Sequence, residues 1–219
     1  MMRKMFVFAV LAVIATLLPA QAPQGQPSQQ AAQPEPAHPY FDLAGSFYKT
    51  FSTSTTGHGT IQKPTDSEGG MFEMRYIKST FVGGEISFGY NPADQTYSPT
   101  ATNCGYICNA APEKVRGNAS ELAFNWVFSK TTGKLRPFAV AGIGFIFTVG
   151  TGNAYAVNTT VKPAYVYGGG ADWALGPRFG LRAQLRGNME SAPATTFAYP
   201  ATGKFQTVIE PAIGFYFRP

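Results

Sequence analysis

From Arg178 to Glu190 the chain reads RFGLRAQLRGNME, and its side chains sort by parity. Phe179, Leu181, Ala183, Leu185 and Met189 fall on one side, and Arg178, Arg182, Gln184, Arg186, Asn188 and Glu190 on the other. An extended chain turns successive side chains to opposite faces, so this segment is a strand with one wholly apolar and one strongly polar surface; a helix would mix the two sets.

The same alternation spreads outward along the chain. Leu122, Phe124, Trp126 and Phe128 oppose Glu121 and Asn125; Phe72, Met74 and Tyr76 oppose Glu73 and Arg75; Ile86, Phe88 and Tyr90 oppose Glu85 and Ser87. Between Pro163 and Leu175 the apolar parity holds Tyr165, Tyr167, Ala171 and Trp173, against Gly168, Gly170, Asp172 and Ala174. The run RPFAVAGIGF from Arg136 is apolar on both parities and has no readable orientation.

Eight such segments follow one another: Tyr40 to Thr53, Gly69 to Lys78, Thr80 to Tyr90, Gly117 to Ser129, Leu135 to Val149, Pro163 to Leu175, Arg178 to Glu190 and Lys204 to Phe217. Long connections rich in Ser, Thr, Asn, Gly and Pro alternate with tight turns around Ser79, at Thr131, Thr132 and Gly133, and at Gly176 and Pro177. The pattern predicts successive hairpins trimmed at one end of a sheet and elaborated at the other.

Composition agrees. Of 219 residues only 13% are charged, where soluble domains carry about 25%. Phe (18) and Tyr (11) are too abundant for a disordered chain. Gly (24) and Pro (17) are too evenly spread for long helices or a coiled coil. The formal charge of +5 falls once Arg3 and Lys4 are set aside, leaving 15 basic against 12 acidic residues. With no run of Lys or Arg, nucleic acid is not an expected partner.

Residues 1–20 read as a secretory signal: Arg3 and Lys4, an apolar run from Met5 to Leu18, then Pro19 and small residues, with cleavage expected after Ala20. Residues 21–39, rich in Gln, Ala and Pro, read as a flexible linker, and residues 40–219 as the folded domain. No later apolar stretch reaches the length of a transmembrane helix, so a mature membrane protein with this sequence crosses with strands.

Alternation alone leaves the direction of the apolar face open. A soluble barrel, such as a periplasmic lipocalin-like carrier of an apolar ligand, turns that face inward; an outer-membrane barrel turns it to lipid. The signal, the alternation of short turns with long loops, and aromatic residues near strand ends favour lipid. Those aromatics are Tyr40, Phe41, Phe51, Tyr90, Trp126, Phe128, Trp173, Phe205, Phe215 and Phe217. Eight strands enclose a lumen just filled by side chains. On this reading Asp42, Glu73, Glu85, Glu121, Asp172 and Glu210 meet Arg75, Arg182 and Arg186 in the lumen, where unpaired charge is costly, and form an ion-paired polar network.

The run from Arg136, and the stretch YGGGADWALGPRFGLRAQLR from Tyr167, resemble the bacterial outer-membrane β-barrels of the OmpA, OmpX and opacity type. So does the aromatic-ended IGFYF at Ile213 to Phe217, although Arg218 and Pro219 follow it. The resemblance implies an all-β fold, an eight-stranded antiparallel up-and-down transmembrane β-barrel in the outer membrane of a Gram-negative cell. It also implies outer-membrane lipid as surroundings and the barrel-assembly machinery as a partner during insertion.

Cys104 and Cys108 are expected to pair as a small disulfide in the longest loop of an exported protein. No metal site or cofactor is expected: the histidines are His38 in the linker and His58 in the first loop. His58 lies near many hydroxyls, but no Ser/His/acid spacing accompanies it, so a small lipid-modifying enzyme is the minor alternative. The expected role is non-enzymatic, an envelope scaffold that displays loops near Ser54 to Glu68, Asn91 to Arg116, Gly150 to Lys162 and Ser191 to Gly203 to surface partners.

Overall fold

The computed structural model describes residues 39–78, 81–100, 111–151 and 159–219. The strands are β1 (Tyr40–Ser52), β2 (Thr55–Gly57), β3 (Thr60–Pro64), β4 (Ser67–Ile77), β5 (Val82–Pro92), β6 (Gln95–Pro99), β7 (Glu113–Ser129), β8 (Leu135–Thr151), β9 (Thr160–Ala174), β10 (Phe179–Ser191) and β11 (Phe205–Phe217). Eight of them pair antiparallel in the ring β1-β4-β5-β7-β8-β9-β10-β11, and β11 returns to β1 so that no edge is left open. The β1–β11 ladder is interrupted between Tyr48↔Ala212 and Phe51↔Ile209, where Pro211 brings no N–H.

Tight turns close one end. Thr132 and Leu135 exchange both backbone hydrogen bonds, at 2.8 and 3.1 Å. Between them Gly133 takes a φ of 61°, at the hairpin position that requires a positive φ.

The polarity is inverted relative to a soluble protein. Phe47, Phe72, Ile86, Phe124, Ile143, Leu185 and Ile213 are exposed around the barrel wall, whereas Asp42, Glu73, Arg75, Asp172, Arg182 and Arg186 are buried. An apolar exterior over a charged interior is the arrangement of a transmembrane β-barrel, and it excludes the lipocalin-like alternative, whose polar parity would meet water. Phe81, Trp126, Trp173, Phe179, Phe215 and Phe217 ring the short-turn end, and Phe51, Tyr90, Tyr165 and Phe205 the other.

Two expectations need correction. Tyr40 does not belong to the outer aromatic girdle; it packs against the lumenal cluster of Ile77, Val127, Phe138 and Val140. The connections Ser54 to Glu68 and Asn91 to Arg116 are not simply loops: β2, β3 and β6 lie within them, and β7 extends to Glu113 to pair with β6. Their inward residues Thr55, Thr60, Gln62 and Gln95 are polar yet buried, so no apolar alternation betrays these strands in the sequence. The strand from Leu135, apolar on both parities, turns Arg136, Phe138 and Val140 inward and Ala139, Ala141 and Ile143 outward.

Candidate functional site

The polar parity of eight strands converges in a lumen that divides into two layers. Near the short turns, charges of opposite sign occupy directly opposed positions on neighbouring strands. Asp42↔Arg75 and Arg75↔Glu85 face each other across β1, β4 and β5, and Arg136↔Asp172 and Asp172↔Arg182 across β8, β9 and β10. Directly opposed side chains stand within contact reach, so strand register alone builds most of this layer.

Asp172 is its hub. Arg182 approaches through Nε at 2.8 Å and Nη2 at 3.2 Å, Arg136 through Nε at 3.1 Å, and Arg75 through Nη1 at 3.5 Å. Arg75 also binds Glu85 at 2.5 Å, and Arg182 reaches Glu73 at 3.3 Å. Asp42 is held by Arg136 at 2.5 Å and by Arg218 at 2.9 Å. Gln184 donates to Glu73 at 2.9 Å and Asn125 to Glu85 at 3.1 Å.

Aromatic faces complete the coordination of these guanidiniums. Arg75 lies 4.1 Å over the Phe138 ring, and Arg218 and Arg136 lie 3.9 and 4.9 Å from the Tyr40 ring. Arginine suits such a site because its planar fork pairs at several points and stacks while staying charged. Four carboxylates, Asp42, Glu73, Glu85 and Asp172, thus balance Arg75, Arg136, Arg182 and Arg218.

The second layer lies toward the long connections and is built differently. Arg186 binds Glu121 at 2.6 Å and contacts Met71 Sδ. Asn188 Nδ2 donates to Glu121 at 2.5 Å and to Glu210 at 3.1 Å, and Gln206 donates to Glu190 at 2.6 Å. Here three carboxylates accompany a single buried guanidinium, which pairs with Glu121.

Of the residues singled out from the sequence, Asp42, Glu73, Arg75, Glu85, Asp172 and Arg182 meet in the first layer, and Glu121, Arg186 and Glu210 in the second. Sequence reasoning missed Arg136, Arg218, Gln184, Asn188 and Glu190 as members of these layers. Arg136 sits on the strand with no readable orientation, although its position as the only charge on that strand was a usable signal. Cys104 and Cys108 lie outside the described residues.

Above the second layer the connections knit into a cap. The β2–β3 hairpin turns on His58 and Gly59, both at positive φ (48° and 78°), and β3 pairs with β6, which pairs with β7. The segment 192–203 folds down against this small sheet. Gln62 Nε2 donates to Pro193 O at 2.8 Å, Tyr97 Oη lies 2.7 Å from Thr195 Oγ1, and Tyr199 Oη donates to Ala111 O at 2.7 Å. Thr55 and Thr202 hydroxyls meet at 3.0 Å, and His58 Nδ1 lies 2.8 Å from Ala201 O. The Tyr97 and Tyr199 rings stack 6.0 Å apart over Val115. Burial pushes the Tyr97 phenol above its ordinary range, partly offset by its hydrogen bonds with Thr195. His58 is therefore an exposed turn residue bound to a backbone carbonyl, with no hydrogen bond or ion pair to an acid or hydroxyl among the described residues.

These features define the class: an eight-stranded transmembrane β-barrel with an ion-paired lumen and a folded cap. The protein resembles in fold two solved outer-membrane proteins. Neisserial surface protein A superposes with a TM-score of 0.58 at 10% identity, over 81% of this chain and 96% of that one. The outer-membrane protein OprG of Pseudomonas aeruginosa superposes with a TM-score of 0.56 at 11% identity, over 84% and 97% of the two chains. No family model and no curated protein matches the sequence.

Proposed function

We propose that the mature protein is a non-enzymatic outer-membrane anchor that presents its cap at the cell surface, for contact with other surfaces or for upkeep of the envelope. The observation that carries this reading is the cap itself: segments from three connections are joined by buried side-chain hydrogen bonds into a fixed relief on a membrane-embedded stem. A barrel whose lumen is crossed by a layer of paired charges serves as a rigid support better than as a wide conduit. The first 20 residues act as the export signal and the next 19 as a tether, and the barrel-assembly machinery inserts the strands. Cys104 and Cys108 pair within the longest connection in the oxidising compartment. The neisserial barrel of the same fold is described as a surface protein, which accords with the placement proposed here.

The test is an epitope inserted beside Phe197, which is 79% exposed on the outer segment of the cap. Antibody labelling of intact cells, with recovery of the protein in the outer-membrane fraction and a boiling-dependent gel mobility shift, is the expected outcome. Labelling only after the cells are opened would overturn the orientation, and soluble periplasmic recovery would overturn the membrane anchor.

A further inference from the structure

The two lumenal layers differ in charge balance, and the imbalance coincides with a cavity. Glu121 is paired with Arg186 at 2.6 Å. Glu190 and Glu210 have no cation within ion-pair distance among the described residues, and the half-buried Lys162 makes no ion pair with either. Between this layer and the cap lies a cavity of about 50 Å³ whose lining includes Glu121, Asn188, Glu190, Gln206 and Glu210, with Pro193 on its cap side.

Three buried atoms in that lining lack any partner: Glu190 Oε2, Gln206 Oε1 and Asn188 Oδ1. All three are acceptors, and the amide orientations are fixed because each NH₂ group donates to a carboxylate. An unpartnered buried acceptor costs about 1 to 3 kcal/mol, so the lining calls for an occupant that brings positive charge or donors. Water alone would satisfy the lone pairs but would bring no counter-charge to the two carboxylates when they are ionised.

We propose that this cavity holds one partly hydrated divalent cation, of the magnesium or calcium type. Carboxylate and amide oxygens are the donors that hard cations take. Among the described residues no three acidic, His or Cys side chains converge tightly enough to cage a bare ion, so the ion keeps part of its water. The volume suits this: each water needs about 10 to 15 Å³ of such space, which leaves room for about three beside the ion's protein ligands. Magnesium bound through one or two carboxylates typically retains several waters. One divalent charge would also neutralise Glu190 and Glu210 together.

The experiment uses the mature chain folded in detergent, freed of metal with a chelator and held at about pH 8.5 to favour the ionised carboxylates that a cation binds. Thermal unfolding is followed by gel mobility as magnesium chloride is titrated at constant ionic strength, with calcium chloride in parallel. The expected result is a saturable rise in the midpoint of about 5 °C or more, lost in Glu190→Gln and in Glu210→Gln and retained in the control Glu68→Gln on the exposed face of β4. Equilibrium dialysis of the unmutated protein should find one tightly held ion per chain, a reading that stands even where a variant fails to fold. No midpoint shift, an equal shift in the variants, or no ion retained in dialysis would each overturn the proposal.

Discussion

Asp172 and Arg182 occupy directly opposed positions on β9 and β10 and pair at two points, Nε to Oδ1 at 2.8 Å and Nη2 to Oδ2 at 3.2 Å, with neither side chain reached by solvent. The same carboxylate also meets Arg136 and Arg75, so its removal takes one partner from three guanidiniums at once. Breaking a buried pair by deleting one partner costs about 3 to 5 kcal/mol. Asp172→Ala should therefore lower the unfolding free energy of the barrel in urea sharply, whereas Thr56→Ala on the exposed face of β2 should change it by less than about 0.5 kcal/mol. Charge reversal at Arg182 or Arg186 should behave like Asp172→Ala. Equal midpoints for lumenal and cap variants would contradict the inward placement of the charges.

The exterior makes the opposite demand. Phe47 is 80% exposed near the middle of β1, on the outer face of the barrel wall. An arginine at bilayer mid-depth on the lipid face of such a barrel costs about 2 to 4 kcal/mol. Phe47→Arg should reduce the fraction that inserts into lipid vesicles, measured by protease protection, while Phe47→Leu inserts normally. Because the substitution faces away from the lumen, detergent, which tolerates a buried charge better than a bilayer, should mask much of the defect.

These contrasts also mark what could be read from the chain alone. Strands with one apolar and one charged parity, such as those around Arg182 and Glu73, declare both their period and, once lipid is chosen as the apolar environment, their inward residues. The strand from Leu135 does not, because Phe138 and Val140 are apolar and face the lumen, where they pack with Ile77 and Val127. Arg136, the partner shared by Asp42 and Asp172, was hidden with it. The cap was hidden for a different reason. Thr60, Gln62 and Gln95 are buried by contacts with segments far along the chain, as in the bond from Gln62 to Pro193, and a polar strand held by such contacts carries no hydrophobic period.

Gln62 ties the small sheet to the segment over the mouth, donating to Pro193 O at 2.8 Å and to Gln95 Oε1 at 3.2 Å. Gln62→Leu keeps the bulk and removes both donors, leaving buried acceptors unmet at about 1 to 3 kcal/mol. That cost falls on docking of the cap and not on the ladders of the barrel. Limited proteolysis should cut faster between residues 192 and 203 in the variant, with the thermal midpoint of the barrel unchanged. A parallel fall of both would mean that cap and barrel unfold as one unit.

Tyr97 gives the cap a pH signature. Its phenol is raised above the ordinary value of 10.0, chiefly by burial, with Glu113 adding to the rise and the Thr195 hydrogen bonds opposing it. The docked cap therefore holds the Tyr97 proton more tightly than the opened one. Below about pH 10 both forms are protonated and the contribution to docking is complete. As pH climbs through 10 toward the raised value, the opened form ionises first, and docking weakens progressively. In alkaline titration followed by ultraviolet absorbance, subtraction of Tyr97→Phe from the unmutated protein should isolate one phenol that ionises above the exposed tyrosines. Protease cutting between residues 192 and 203 should accelerate over that same interval in the unmutated protein, and should lose this pH dependence in Tyr97→Phe. A difference curve centred at the ordinary tyrosine value would show that water reaches Tyr97 and that the cap does not dock as described.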